Sequence, residues 1–366
     1  MNTMPTVVVA MSGGVDSSVA AALLVERGYR VIGMMLRLWN EPGAAEHNRC
    51  CTPDAMALAR RVAARLEIPF YAIDVQDRFR DVVVQSFLDG YVQGVTPNPC
   101  VVCNRQIRWG FLMEHARAFG ADYLATGHYA RLDRVTNGQG GERVRLLRGL
   151  DPAKDQSYVL SVLNQDSLRA SLFPVGDFPK TEVRALASRF GLPVAALPDS
   201  QDLCFLGSSD TRAFLARHAP QAVRPGPIIS HAGQVLGEHQ GLAFYTIGQR
   251  KGLGIAAAEP LYVLRKDLAR NTLIVGPESA LGKRSLRAAE LNWVAGAPPR
   301  EPVQAQVKIR YKAVEVQAEV APSGENEALV TFERPLRDIT PGQRVVFYDG
   351  EECLGGGTIQ REEGAA

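Results

Sequence analysis

Apolar and polar residues alternate along this chain with two different periods. Thr6–Ala10 is a short β-branched run that ends at a glycine-rich turn. From residue 17 to 27, Val19, Ala20, Leu23 and Leu24 fall on one helical face, and Gly28 stands where a helix closes. Further strands are predicted at 30–35, 70–74 and 121–126, and helices at 54–66, 77–91 and 105–119. Strands separated by helices of this length predict an α/β fold, a doubly wound parallel sheet with helices on both faces. Beyond residue 205 the texture changes. A helix at 210–218 is followed by short runs punctuated by Gly and Pro, at 241–247, 261–265, 272–275, 303–311, 328–332 and 344–348. That spacing predicts β-rich modules closed as small barrels. The expected domains are 1–207 (doubly wound α/β), 208–284 (small, central, β-rich) and 285–366 (a C-terminal β-barrel). The proline-containing stretch 295–302 is an alternative second linker.

Length and composition fit this division. At 366 residues the chain has room for two or three cores of roughly 150 residues. Its 46% hydrophobic and 22% charged residues are those of a globular protein. No apolar run approaches the roughly 18 residues of a membrane helix. The start lacks the basic stretch and apolar core of a signal peptide, so the cytoplasm is the expected compartment, with no membrane partner. A net charge of +2 announces no nucleic-acid partner, although a local basic stripe suffices to make one. The six cysteines, Cys50, Cys51, Cys100, Cys103, Cys204 and Cys353, are too scattered for a disulfide scaffold. In a reducing compartment they read as buried thiols, metal ligands or catalytic thiols.

The sharpest local signal is Ser12-Gly13-Gly14-Val15-Asp16-Ser17, between the first strand and its helix. Glycines admit a tight turn and close ligand approach, and N–H groups at a helix start converge on negative charge. Ser12, Ser17 and Ser18 add hydroxyl donors, and Asp16 suits Mg²⁺ bridging phosphates. Neither the Gly-Lys-Ser/Thr ending of a Walker loop nor a dinucleotide Gly-x-Gly-x-x-Gly is present. The loop resembles the pyrophosphate loop of the N-type ATP pyrophosphatases, which cleave ATP between its α and β phosphates and adenylate a substrate oxygen. That resemblance implies ATP and adenylation and leaves the substrate open.

Other stretches narrow the choice. They are Thr96-Pro97-Asn98-Pro99-Cys100-Val101-Val102-Cys103-Asn104-Arg105, Thr126-Gly127-His128-Tyr129-Ala130, Lys154-Asp155-Gln156-Ser157-Tyr158, Asp199-Ser200-Gln201-Asp202-Leu203-Cys204-Phe205 and Gly248-Gln249-Arg250-Lys251-Gly252-Leu253-Gly254. In order and over nearly the whole chain, they resemble the tRNA-specific 2-thiouridylases. The resemblance implies an adenine nucleotide α-hydrolase-like N-terminal fold and ATP-dependent 2-thiolation of the wobble uridine of tRNA, with Lys, Glu and Gln acceptors as substrates. AMP and pyrophosphate would be the by-products. It also implies a sulfur-donor protein, such as a cysteine desulfurase or a relay protein.

The chemistry explains the cysteines. A uracil C2 carbonyl is a poor electrophile until its oxygen is adenylated, and sulfur must then arrive in activated form. A cysteine persulfide supplies it, and a second thiol releases it by forming a disulfide. By resemblance, Cys204 carries the persulfide and Cys103 is the nucleophile. The neighbouring Asn104 and Arg105 favour a thiolate at Cys103, whereas Asp202 disfavours one at Cys204. Cys50, Cys51 and Cys353 read as small buried hydrophobes. One departure stands out: many relatives carry Asp where this chain has Cys100. The resulting Cys100-x-x-Cys103 with a distant Cys204 also suits three-thiolate ligation of a 4Fe–4S cluster, as in some related thiolation enzymes. Relay and cluster therefore both stand at this point, and zinc lacks an obvious fourth ligand.

For ATP, resemblance implicates Ala10, Met11, Ser12, Gly13, Gly14, Val15, Asp16 and Ser17, with Leu36 against adenine and Gly127 admitting the nucleotide. For tRNA it implicates Asn98, Pro99 and Cys100 at the flipped base. Lys154, Asp155, Gln156, His128, Arg310, Tyr311 and Gln343 match further RNA contacts. Two other classes compete. An amide- or guanidine-forming synthetase would not need Cys103 or Cys204, and a nucleotide-responsive RNA-binding protein would release no pyrophosphate.

Overall fold

The computed structural model describes residues 4–41, 52–136, 142–198, 203–206 and 210–361. Cys50, Cys51, residues 199–202 and the boundary at Gly207 lie outside the described residues. The N-terminal domain is built on β1 (Thr6–Ala10), β2 (Arg30–Arg37), β3 (Phe70–Asp74) and β4 (Tyr123–Ala125). A hairpin, β5 (Ala130–Thr136) and β6 (Glu142–Arg148), precedes the short β7 (Ser171–Leu172). The sheet order is β3-β2-β1-β4-β7, and every pairing is parallel. Val7, Val8 and Val9 are completely buried because both faces of β1 are covered, which is why the strand reads as one continuous apolar run.

Successive side chains of β1 serve opposite layers. Val7 and Val9 pack with α1 (Val15–Glu26), α2 (Pro53–Arg65) and α5 (Lys180–Arg189). Val8 and Ala10 pack with α4, a helical run over residues 99–118. Helix α3 spans residues 76–92. Both α3 and α4 contain π-register stretches, at Arg80–Val84 and Cys103–Leu112. Such stretches occur mostly as local insertions at functional sites.

The central domain holds α6 (Thr211–His218) and a four-stranded sheet of β8 (Gly226–Ser230), β9 (Val235–His239), β10 (Tyr262–Asp267) and β11 (Thr272–Gly276). The strand expected at 241–247 is instead a 3-10 turn, Leu242–Phe244. Its apolar residues serve two cores at once: Leu242 and Tyr245 enter the central core, and Ala243 enters one shared with the N-terminal domain.

The C-terminal domain comprises β12 (Lys283–Trp293), β13 (Val303–Lys308), β14 (Val316–Pro322), β15 (Ala328–Leu336), β16 (Arg344–Asp349) and β17 (Glu352–Ile359). In the order β12-β15-β14-β13-β16-β17, with β17 bonded back to β12, these strands close a barrel. The β5–β6 hairpin joins the same sheet through Glu352 opposite Leu147. Its arginines are paired, Arg131 with Glu351, Arg143 with Glu352 and Arg148 with Glu315.

The buried guanidinium of Arg344 fastens the barrel to the N-terminal domain. It donates to Gly356 O at 2.7 Å, Ser161 Oγ at 3.3 Å and Ser161 O at 3.5 Å, while Tyr158 Oη donates to Arg344 O at 2.6 Å. Replacing Arg344 by Ala orphans these carbonyls, and the expected loss is about 2–4 kcal/mol of stability. A lower urea midpoint for Arg344→Ala bears this out; an unchanged midpoint contradicts it.

Candidate functional site

Strand order reverses between β1 and β4, so the chain leaves their carboxyl ends in opposite directions and opens a crevice there. Gly13 lies at φ +74°, and a Cβ on it would stand 2.5 Å from Ala55 O, so the start of α2 demands glycine. Gly14 caps α1. Ser17 Oγ accepts from Ser12 N and lies 3.2 Å from Ser12 Oγ. Of the three hydroxyls expected to face phosphate, Ser18 does not: it is completely buried and donates to Gly14 O at 2.7 Å.

Asp16 is the node of this end. Its Oδ1 accepts from Tyr129 Oη at 2.7 Å and from Lys180 Nζ at 2.5 Å. Tyr129 is held in turn, its N–H donating to Gln156 Oε1 at 3.0 Å and its carbonyl accepting from Gln156 N at 2.8 Å. Gly127 is needed by the loop itself, since a Cβ would stand 2.6 Å from Ser17 N. Lys180 and Tyr129 were not singled out in the sequence. Tyr129 lay inside a quoted motif, but nothing marks Lys180, which lies 164 residues from Asp16.

The sulfur end is carried by α4. Asn98 caps it, its side chain accepting from Val101 N, and buried Pro99 fills the first turn. The strap before it is clamped by the barrel: Thr96 N donates to Pro341 O at 2.9 Å, and Gln343 Nε2 donates to Thr96 O at 2.8 Å. Ala10, Met11, Ser12 and Leu36 then share one cleft with Cys103, Arg108 and Cys204. Cys103 and Cys204, 101 positions apart in the chain, thus share a cleft with Ser12, the first residue of the glycine-rich loop.

The expected neighbours of Cys103 are corrected. Asn104 is buried and donates to Val159 O at 3.2 Å, and Arg105 is exposed. The cation that faces the thiol is Arg108, which opposes the upward push of burial on Cys103. Burial also pushes the thiol of Cys100 up to about 11, although this residue stands exposed at the rim. Cys353 is buried in the barrel, with its thiol pushed up to about 12. Among the described residues no disulfide joins Cys100, Cys103 or Cys353. Among the described residues no three His, Cys, Asp or Glu side chains are grouped to hold a metal.

The residues expected at RNA divide into two groups. Tyr311 stacks edge-on against Tyr158 and feels Cys100, bringing the barrel to the cleft rim. Arg310 is half exposed and pairs with Asp338 at 2.6 Å, and Lys154 is partly exposed. Asp155 faces inward, accepting from Gly149 N and Ser157 N at 3.0 Å each. Gln156 and Gln343 are engaged as described. His128 packs against Trp109 and Phe173, and its Nδ1 lies 2.6 Å from Thr126 Oγ1. No helix among the described residues is long and apolar enough to cross a membrane.

Three family models match the chain: a tRNA methyl transferase HUP domain over residues 5–208, a tRNA methyl transferase PRC-barrel domain over 212–277, and an aminomethyltransferase beta-barrel domain over 283–359. The chain is 48% identical to a tRNA-specific 2-thiouridylase MnmA of Roseiflexus castenholzii, covering 98% of this chain and all of the relative. Its similarity to proteins of the same description is 47% in Symbiobacterium thermophilum (97% and 92% of the two chains) and 48% in Magnetococcus marinus (96% and 98%). Among solved structures, a 4-thiouridine synthetase–RNA complex with bound ATP aligns with 59% of this chain and 51% of its own at 16% identity. Its TM-score of 0.36 is too low to carry weight.

The His128 environment has a measurable consequence. Burial and the cation of Arg108 both oppose the imidazolium, pushing its pKa from 6.5 down to about 3. The ring is therefore neutral when folded, and the stability this contributes is present above pH 6.5 and lost as pH falls toward 3. Ring NMR shifts of His128 should stay those of a neutral imidazole from pH 8 to about 5. Protonation near pH 6 would contradict the packing.

Proposed function

The chain belongs to the tRNA-specific 2-thiouridylases and acts as a sulfurtransferase in tRNA 2-thiouridylation, and we propose that it adenylates the wobble uridine with MgATP and passes sulfur between Cys204 and Cys103. The observation that carries this reading is the cleft that Ala10, Met11 and Ser12, at the head of the glycine-rich loop, share with Leu36, Cys103 and Cys204. The β and γ phosphates lie on the N–H groups of residues 12–17, where the start of α1 favours negative charge. Lys180, held by Asp16, supplies the nearby cation. Leu36 packs on adenine. Magnesium is taken as part of the substrate.

Uridine O2 attacks the α phosphate and pyrophosphate leaves, with the N3 proton lost to solvent. A donor protein of the cysteine desulfurase or relay type loads Cys204 as a persulfide. The Cys103 thiolate attacks Sγ of Cys204, and hydrosulfide departs as the Cys103–Cys204 disulfide forms. Hydrosulfide adds to C2, and AMP leaves with the former O2. Two equivalents of an external thiol reduce the disulfide for the next cycle. Asn98, Pro99, Cys100 and Tyr311 form the rim that takes the flipped base, and Lys154 and Arg310 meet the RNA backbone. His128, Asp155, Gln156 and Gln343 support that rim from behind. The substrates are tRNAs with Lys, Glu and Gln acceptors.

Nucleoside mass spectrometry of unmodified tRNA-Lys, incubated anaerobically with enzyme, MgATP and a persulfide donor, tests this. Cys103→Ser and Cys204→Ser should each lower 2-thiouridine by about a hundredfold or more, on the scale of losing a covalent catalyst. Cys100→Ser should retain activity within about tenfold, one step of 1.4 kcal/mol. ATP cleavage by the wild type without 2-thiouridine overturns the reading, and an equally inactive Cys100→Ser overturns the two-thiol relay.

A further inference from the structure

The stretch Gly248-Gln249-Arg250-Lys251-Gly252-Leu253-Gly254 lines no part of the cleft, yet its root is tied to the rim. Gly248 lies at φ +83°, and a Cβ on it would stand 3.0 Å from Asp338 Oδ1. Asp338 is the carboxylate that holds Arg310. Two residues before the stretch, Thr246 Oγ1 accepts from Thr96 Oγ1 at 3.4 Å, and Thr96 lies in the strap that leads to Asn98. The loop is also fixed along its length. Gly248 N donates to Val263 O at 2.8 Å and Val263 N to Gln249 O at 2.9 Å, which fastens it to β10. The Gln249 side chain staples it from within: Oε1 accepts from Thr246 N at 3.0 Å, and Nε2 donates to Lys251 O at 2.9 Å. Leu253 is buried in the central core, and Ile255 packs against it.

What this fixed loop turns to solvent is hydrogen-bond donors. Arg250 and Lys251 are exposed, and among the described residues neither has an ion pair. The N–H groups of Arg250, Lys251, Gly252 and Gly254 likewise meet no acceptor among the described residues, while the carbonyl of Lys251 is taken by Gln249. Gly252 (φ +78°) and Gly254 (φ +70°) hold the left-handed backbone of this turn, and both are exposed. Of the nearby carboxylates, Asp338 is held by Arg310 and Arg337, and Glu278 by Arg337. Glu259 lines the same open depression as Arg250 and is bonded to neither cation. We infer that residues 250–254 are a seat for a backbone phosphate of the tRNA substrate, outside the pocket for the flipped base. The inference rests on the reading of Arg310 and the Cys100 rim as the RNA-facing side. Two unpaired cations beside open N–H groups of a rigid turn are the donor set that a phosphate diester takes up. The source is RNA, because the loop adjoins Arg310 through Asp338 and the rim through Thr96, so a polyanion laid across Arg310 meets this loop next. Being a backbone contact, it adds affinity and register without base preference. The central domain, which carries no reacting group, thereby helps to hold the substrate.

The test is the salt dependence of tRNA binding, read by fluorescence anisotropy of labelled, unmodified tRNA-Lys on the full chain over a series of KCl concentrations. The double variant Arg250→Gln, Lys251→Gln should raise Kd about tenfold at low salt and make the slope of log K against log salt shallower by about one to two. Arg61→Gln, which removes an exposed arginine on α2, should leave Kd and slope in place. An unchanged Kd and slope in the double variant, with its fold checked by circular dichroism, overturns the inference. Should the double variant fail to fold, the single variants decide by the same slope, each expected to lose about one. Calorimetric titration of inorganic phosphate separates the two sources of the anion. Phosphate binding that the double variant loses while its tRNA binding stays unchanged makes this a free-phosphate site and overturns the RNA assignment. Binding needs neither ATP nor sulfur. A negative result therefore removes the loop's role without touching 2-thiouridylation, and failed 2-thiouridylation leaves the binding slopes standing.

Discussion

The carboxylate of Asp16 joins three segments that the chain keeps far apart. Tyr129 lies 113 residues away and Lys180 164, and both reach the same oxygen. The charge balance explains the arrangement. The start of α1 and the N–H groups of the loop already present partial positive charge, and an ammonium brought there alone would be repelled. With Asp16 between them, Lys180 sits beside the loop at little electrostatic cost. Gly127 lets the β4 loop pack directly on this backbone, and the turn at Gln156 fixes Tyr129. Even buried Asp155 takes part, because its bonds to Gly149 and Ser157 shape that turn.

The sulfur half hangs from a different support. The strap leading into α4 is held by Pro341 and Gln343 of the barrel, and Arg344 and Asn292 bind backbone carbonyls of residues 161 and 163. The barrel therefore helps to hold the strap and the helix that carry Cys100 and Cys103. Its Tyr311 reaches the rim beside Cys100, so the rim is built from residues of two domains. Buried Arg344 and the half-buried amides of Asn292 and Gln343 carry these joins, which fixes one relative placement of barrel and sheet.

The α/β sheet was legible because its strands and helices have different periods and because β1 is buried on both faces. The glycine-rich loop was legible because its composition exceeds what a turn needs. Local sequence failed where neighbours in space are not neighbours in the chain. Arg105 follows Cys103 closely yet points to solvent, while Arg108, further along the helix, lines the same cleft as the thiol. Lys180 left no signal, since its partner lies in the first loop. The β5–β6 hairpin was missed because its alternating arginines and acids look solvated until the barrel pairs them. Asp155, Gln156 and Gln343 were read as RNA contacts, and the hydrogen bonds that also tie them into the fold left no mark in the local sequence.

The relay is tested most directly by a single turnover without reductant, in which persulfide-loaded enzyme meets adenylated tRNA and is quenched in acid with an alkylating agent. Peptide mapping should find a Cys103–Cys204 disulfide in an amount that matches the 2-thiouridine formed. A full yield of 2-thiouridine with both thiols still open to alkylation would contradict the relay.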